Sequence, residues 1–243
     1  MKINFLTIFP DIFNSYISES ILARAQKKGF VKFNSINIRN FSLDKHKKVD
    51  AKSYGGGSGM IMQIEPIFRA LKSLQVIASS KRSEGRGNLK KKRIILLSAK
   101  GKLFKQSDAK RLSKYDELIF ICGRYEGVDE RITKFIDEEI SIGEYVLTGG
   151  ELPAIVIADS IIRLIPGVIS EESLKEESFA TKKSIDNQQL TINHYLEYPQ
   201  YTRPEIFEYK NSKTKKIIKL KVPKVLTSGD HKKIEKWREK SSK

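Results

Sequence analysis

One cysteine, Cys122, excludes an internal disulfide, and three scattered histidines, His46, His194 and His231, lack the paired spacing of a zinc site, so no structural metal is expected. No apolar run reaches the roughly 20 residues of a membrane span, and the apolar start, Met1 to Asp11, is broken by Asn4, Pro10 and Asp11. A cytoplasmic protein with no membrane partner is the expectation. Acidic residues are also short: 29 Asp and Glu stand against 46 Lys and Arg, a formal charge of +17. That excess points to a polyanion such as nucleic acid, although a lysine-rich proteome would raise the charge of every protein in the same way.

What is present is a chain of 243 residues, 39% hydrophobic, enough for one good core and a smaller attached unit. Lys2–Phe9 reads as a buried strand, and Pro10-Asp11 opens a helix with Phe13, Tyr16, Ile17 and Ile21 on one stripe, ending at Gly29. Val31–Ile38 is the next strand, and a helix begins near Pro66. Ser79–Lys92 is a polar, basic surface loop, and Arg93–Ser98 a strand closed by Gly101. A helix over Gln106–Lys114, a strand over Glu117–Cys122, a short helix over Asp129–Ile136 and an apolar helix over Leu152–Ile165 follow. This alternation predicts an α/β fold with a largely parallel sheet. From Ser170 to about Gln189 apolar periodicity nearly vanishes, as in an interdomain linker. A small unit follows and ends in a helix over Asp230–Lys240, whose Ile234 and Trp237 form a narrow stripe. The expected organisation is therefore 1–169, a linker 170–189, and a small helical unit 190–243.

Three segments concentrate the chemistry. Tyr54-Gly-Gly-Gly-Ser-Gly-Met60 lacks the Lys-Ser/Thr ending of a phosphate-binding P-loop, yet its glycines are entropically costly unless a ligand or a close backbone approach uses them. Phe120-Ile-Cys-Gly-Arg-Tyr-Glu-Gly-Val-Asp-Glu-Arg131 and Ser141-Ile-Gly-Glu-Tyr-Val-Leu-Thr-Gly-Gly-Glu-Leu-Pro153 each set glycines where an apolar run gives way to a turn. Together they predict a close-fitting backbone pocket for a small, flat, polar ligand. Cys122 reads as a buried packing residue more readily than as a nucleophile. Arg163 interrupts an apolar helix and either snorkels or meets an anion. Glu171, Glu172, Glu176 and Glu177 read by themselves as a solvated charge run.

These motifs, with Ile8-Phe9-Pro10, Ile165-Pro-Gly-Val168, Glu177-Ser-Phe179 and Tyr201-Thr-Arg-Pro-Glu205, resemble in order those of the bacterial tRNA (guanine-N1)-methyltransferase family, over nearly the whole chain. The resemblance implies a SPOUT fold with a deep trefoil knot and a homodimer with active sites at the subunit interface. It implies S-adenosylmethionine held by Leu96, Leu97, Ser98, Gly101, Gly123, Tyr125, Glu126, Ile142, Gly143, Tyr145, Leu147, Gly149, Gly150 and Pro153. It further implies methylation of the tRNA guanosine just 3′ of the anticodon. Guanine N1 carries a proton, so transfer needs a base at N1 and a stabiliser of charge on O6. The family's linker aspartate, the base, matches Glu177 here, a carboxylate one methylene longer. Arg163 matches the arginine facing O6, and Glu126 the carboxylate near which a Mg²⁺ dependence is placed. The small C-terminal unit is implied to grip the anticodon stem. Two other readings compete: a catalytically silent RNA-binding relative, favoured by the charge and the Asp-to-Glu change, and an enzyme acting on a ribose 2′-hydroxyl.

Overall fold

The computed structural model of the chain describes residues 1–75, 91–175, 177–179, 181–186, 189–194 and 196–242. They form two compact units, Met1–Ile169 and Ser170–Lys243.

In the first unit, β1 (Lys2–Thr7) leads through a 3-10 turn, Pro10–Phe13, into α1 (Asn14–Ile17) and α2 (Ser20–Lys27). The single helix expected over this stretch is broken at Glu19, which is extended, and Ser20, which takes a left-handed φ of 50°. Gln26 Nε2 donates to the Ile17 carbonyl at 2.6 Å and satisfies an acceptor at the end of α1. β2 (Lys32–Asn37) follows, then the short pair β3 (Asp50–Ala51) and β4 (Ile61–Met62), α3 (Ile64–Ser73), β5 (Lys92–Leu103), α4 (Gln106–Leu112), β6 (Glu117–Cys122), a 3-10 turn over Glu130–Phe135, β7 (Glu138–Ser141) and α5 (Glu151–Ile162). The surface loop expected over Ser79–Lys92 lies, through residue 90, outside the described residues.

Five of these strands make one sheet in the order β2-β1-β6-β5-β7, and every pairing is parallel. A parallel sheet is covered on both faces, and β6 obeys this strictly: all six of its residues are buried. Its alternate side chains divide between two cores. Leu118, Phe120 and Cys122 join Phe5, Phe13 and the α5 residues Ala154, Ile157 and Ile161. Ile119 and Ile121 join Leu6, Ile38, Ile67 and Leu71 on the other face. Phe5 stacks on Phe13 with centroids 4.1 Å apart. Each such buried side chain contributes about 1.5–3 kcal/mol by leaving water.

β5 departs from its expected end. It runs past Gly101 to Leu103, but Leu97 and Lys102 both align with Ile140, so Ser98–Gly101 leave the ladder between them. Gly101 does not close the strand. It lets two backbones touch, since a Cβ there would stand 2.6 Å from the Ile140 nitrogen. The unexpected strand β7 has two glutamates in four residues because it is the sheet's edge. Its Glu138 accepts from Arg93 Nε at 2.8 Å and Arg111 Nη2 at 2.7 Å.

The second unit contains α6 (Glu171–Lys175), the antiparallel pair β8 (Thr181–Asp186) and β9 (Gln189–His194), the antiparallel pair β10 (Ile206–Lys210) and β11 (Ile217–Lys221), and α7 (His231–Ser241). The segment expected to be an interdomain linker holds a short helix and a strand, and the unit carries more strand than the helical expectation. Backbone pairing forms these hairpins without the apolar periodicity sought in the sequence. Tyr198 lies under the Arg238 guanidinium at 4.8 Å and Tyr201 meets Trp237 at 6.2 Å, fastening the Tyr-rich segment to α7.

Candidate active site

The carboxyl ends of β6, β5 and β7 are adjacent in the sheet, and ligands of open α/β sheets bind at such ends. A cavity of about 1170 Å³ opens there. Its walls come from Leu96–Lys100, where β5 leaves its ladder, Gly123–Arg131 after β6, Ser141–Gly143 and Tyr145–Gly150 at and beyond the end of β7, and Pro153 in the first turn of α5. Residues Ala51–Tyr54 and Ile61–Glu65 contribute the remaining side.

Glycine makes these loops meet. The Gly150 nitrogen donates to the Gly123 carbonyl at 2.9 Å, and a Cβ on Gly150 would lie 2.8 Å from the Cys122 Cα. Backbone, unlike a flexible side chain, cannot step aside. In the Tyr54–Met60 loop, Gly55, Gly56, Gly57 and Gly59 all have positive φ, and a Cβ on Gly59 would meet the Glu126 side chain at 2.5 Å. The Glu126 nitrogen donates to the Met60 carbonyl at 3.0 Å, and Met62 donates to the Gly127 carbonyl at 2.9 Å. The glycine-rich loop thus serves a close approach to the Gly123–Val128 turn. In that turn Tyr125 itself holds a left-handed φ of 60°.

A buried ion pair locks the far side. Arg124 Nε donates to Glu151 Oε2 at 2.8 Å, and the Thr7 hydroxyl donates to Glu151 Oε1 at 2.6 Å. Arg124 also lies 4.8 Å over the Phe9 ring and donates to the Thr148 carbonyl at 3.3 Å. One side chain therefore ties the turn after β6 to the loop before α5. Arg124 and Glu151 sit inside the two most informative motifs, but the sequence assigned them no role. Nothing in it shows that residues so far apart pair across the loops.

Burial pushes the Cys122 thiol well above its ordinary value, and neighbouring Glu151 acts in the same direction. The buried packing reading of Cys122 is the one that holds. No group of three or more His, Cys, Asp or Glu able to hold a metal occurs among the described residues.

The family described as tRNA (Guanine-1)-methyltransferase TrmD matches residues 1–243. The chain belongs to this family. It is 51% identical to the tRNA (guanine-N(1)-)-methyltransferase of Mycoplasmopsis agalactiae over 241 residues, 99% of this chain and 91% of that protein. It is 50% identical to the like-named protein of Mycoplasmopsis synoviae over 99% of this chain and 91% of that one. With that of Endomicrobium trichonymphae it shares 46% over 100% of this chain and 94% of that one. The five-stranded parallel sheet is the core of the SPOUT fold of the TrmD family.

Of the residues singled out by resemblance to the TrmD family, Leu96, Leu97, Ser98, Gly123, Tyr125, Glu126, Ile142, Gly143, Tyr145, Leu147, Gly149, Gly150 and Pro153 all line the one cavity. Gly101 and Arg163 stand outside its lining. Arg163 is the residue after the last turn of α5, one turn beyond Asp159, whose carboxyl is raised by burial and pulled back partly by the Arg163 charge. Glu177 belongs to the second unit, where it is buried rather than part of a solvated run.

Proposed function

We propose that this chain transfers a methyl group from S-adenosylmethionine to N1 of the guanosine just 3′ of the anticodon in tRNA. The observation that carries the reading is the cavity at the ends of β6, β5 and β7, whose walls are set by glycine backbone contacts in motifs of a guanine-N1 methyltransferase family. Its residues fit the donor. Leu96, Leu97, Ile142, Leu147 and Pro153 offer apolar surface for a flat heterocycle, while Glu126 and Glu139 offer negative charge for a sulfonium and an ammonium. Bound there, S-adenosylmethionine supplies an electrophilic methyl.

The chain's own groups do the rest. Glu177 accepts the N1 proton, which makes the ring nitrogen a nucleophile, and Arg163 donates to O6 as negative charge develops there. Glu126 holds the cationic end of the donor and is the carboxylate beside which Mg²⁺ would act. Glu177 of one copy serves the cavity of a second in a homodimer, with the active sites at the subunit interface. Supporting the dimer, Ile12, Tyr16, Leu152 and Val156 form an exposed apolar face around a shallow groove, and a second copy would cover it. The family's trefoil-knotted chain path belongs to the same reading.

The test is incubation with unmodified tRNA and methyl-labelled donor, followed by nucleoside analysis. Label in N1-methylguanosine is expected. Label in a ribose-methylated nucleoside, or none, would overturn the proposal.

A further inference from the structure

The hairpin of β10 and β11 is exposed along almost its whole length. Its register pairs Phe207 with Leu220 and Tyr209 with Ile218, so these four side chains share one face. On that face the Phe207 and Tyr209 rings stack on each other, 5.9 Å apart and 24° from parallel, and Phe207 and Leu220 are each more than half exposed. Apolar surface gathered on one exposed face in this way marks a contact site, and the exposed rings favour a partner that can stack on them.

The charge around them indicates what does. Ile206–Lys221 holds six lysines, Lys210, Lys213, Lys215, Lys216, Lys219 and Lys221, against one acid, Glu208, which pairs with Lys219 at 2.6 Å. Three of the lysines sit on a built tip. Asn211 Oδ1 accepts from the Lys213 and Thr214 nitrogens, both at 2.9 Å, and the Lys215 nitrogen donates to the Asn211 carbonyl at 2.9 Å. A protein partner matched to this surface would need to be both apolar and strongly acidic. RNA offers both features in one polymer, flat bases and a regular array of phosphates.

We propose that the β10–β11 hairpin is an RNA-binding arm: Phe207 and Tyr209 stack on unpaired bases while the tip lysines neutralise the adjoining phosphates. The proposal rests on the function above only for the RNA's identity, the substrate tRNA itself. Stacking carries no sequence code, so the arm adds affinity to any RNA with splayed bases and leaves the choice of target guanosine to the cavity.

The experiment measures binding of unmodified tRNA across a salt series by the full-length protein and two variants, F207A/Y209A and K213Q/K215Q/K216Q. Neither touches the core, and donor affinity and thermal midpoint serve as controls expected to stay constant. The aromatic variant should bind about ten-fold or more weakly with its salt dependence unchanged. The lysine variant should lose about one unit of log–log salt slope per phosphate contact removed. Parental affinity and slope in both variants would overturn the proposal, as would unaltered RNA binding with a changed subunit association, which would make the face a protein contact. If binding falls as expected but no N1-methylguanosine forms on the parent, the arm stands and the catalytic assignment fails. If N1-methylguanosine forms and both variants bind normally, the arm alone fails.

Discussion

Arg124, in the turn after β6, and Glu151, the first residue of α5, meet at 2.8 Å around a carboxylate that is 1% exposed. Removing one partner of such a pair leaves a charge without compensation, which costs about 3–5 kcal/mol. Arg124→Ala should therefore lose stability of that order in urea denaturation, and donor affinity with it, because the Thr148 loop loses its anchor. A loss below about 1 kcal/mol would mean that Thr7 alone satisfies Glu151.

Gly150→Val should abolish donor binding by calorimetry. The added side chain would force apart the Gly123 and Gly150 backbones, whose 2.9 Å hydrogen bond shapes the cavity's mouth. Unchanged affinity would remove this loop from the binding site.

Glu177→Gln keeps size and hydrogen bonding but cannot take a proton, so single-turnover methyl transfer should slow by about 10² to 10⁴ while donor affinity holds. Glu177→Asp should keep substantial activity. Full rate in the Gln variant would exclude Glu177 as the base.

Stability should also fall in acid through β7. Burial raises the Glu138 carboxyl, but the bonds from Arg111 and Arg93 outweigh it and hold the group below its ordinary value of 4.5. A carboxyl lowered by folding stabilises the protein above its unfolded value and loses that contribution as pH falls through the folded one. Glu138→Gln should cost about 1–2 kcal/mol near neutral pH, and the gap from the parent should close below pH 4.5. A gap that is the same at both ends would contradict the assignment.

The strands with strong apolar runs were legible from sequence, Lys2–Thr7 and Glu117–Cys122 above all, because a parallel sheet buries both faces and leaves predominantly apolar segments, interrupted in the first by the buried Asn4. The glycine motifs likewise foretold a pocket, since their cost demands a close contact. β7 escaped notice because an edge strand tolerates Glu139 and also Glu138, whose partners Arg93 and Arg111 lie on other elements. The β10–β11 hairpin escaped because its strands are exposed and no buried face imprints a period. Arg124 with Glu151 was illegible for a different reason: pairing across loops depends on the fold that joins them.

Methyl transfer to two unmodified tRNA transcripts, identical except that one has adenosine in place of the guanosine 3′ of the anticodon, tests the central claim most directly. The account predicts labelled N1-methylguanosine in the first and background label in the second. Equal label in both would place the methyl elsewhere and contradict it.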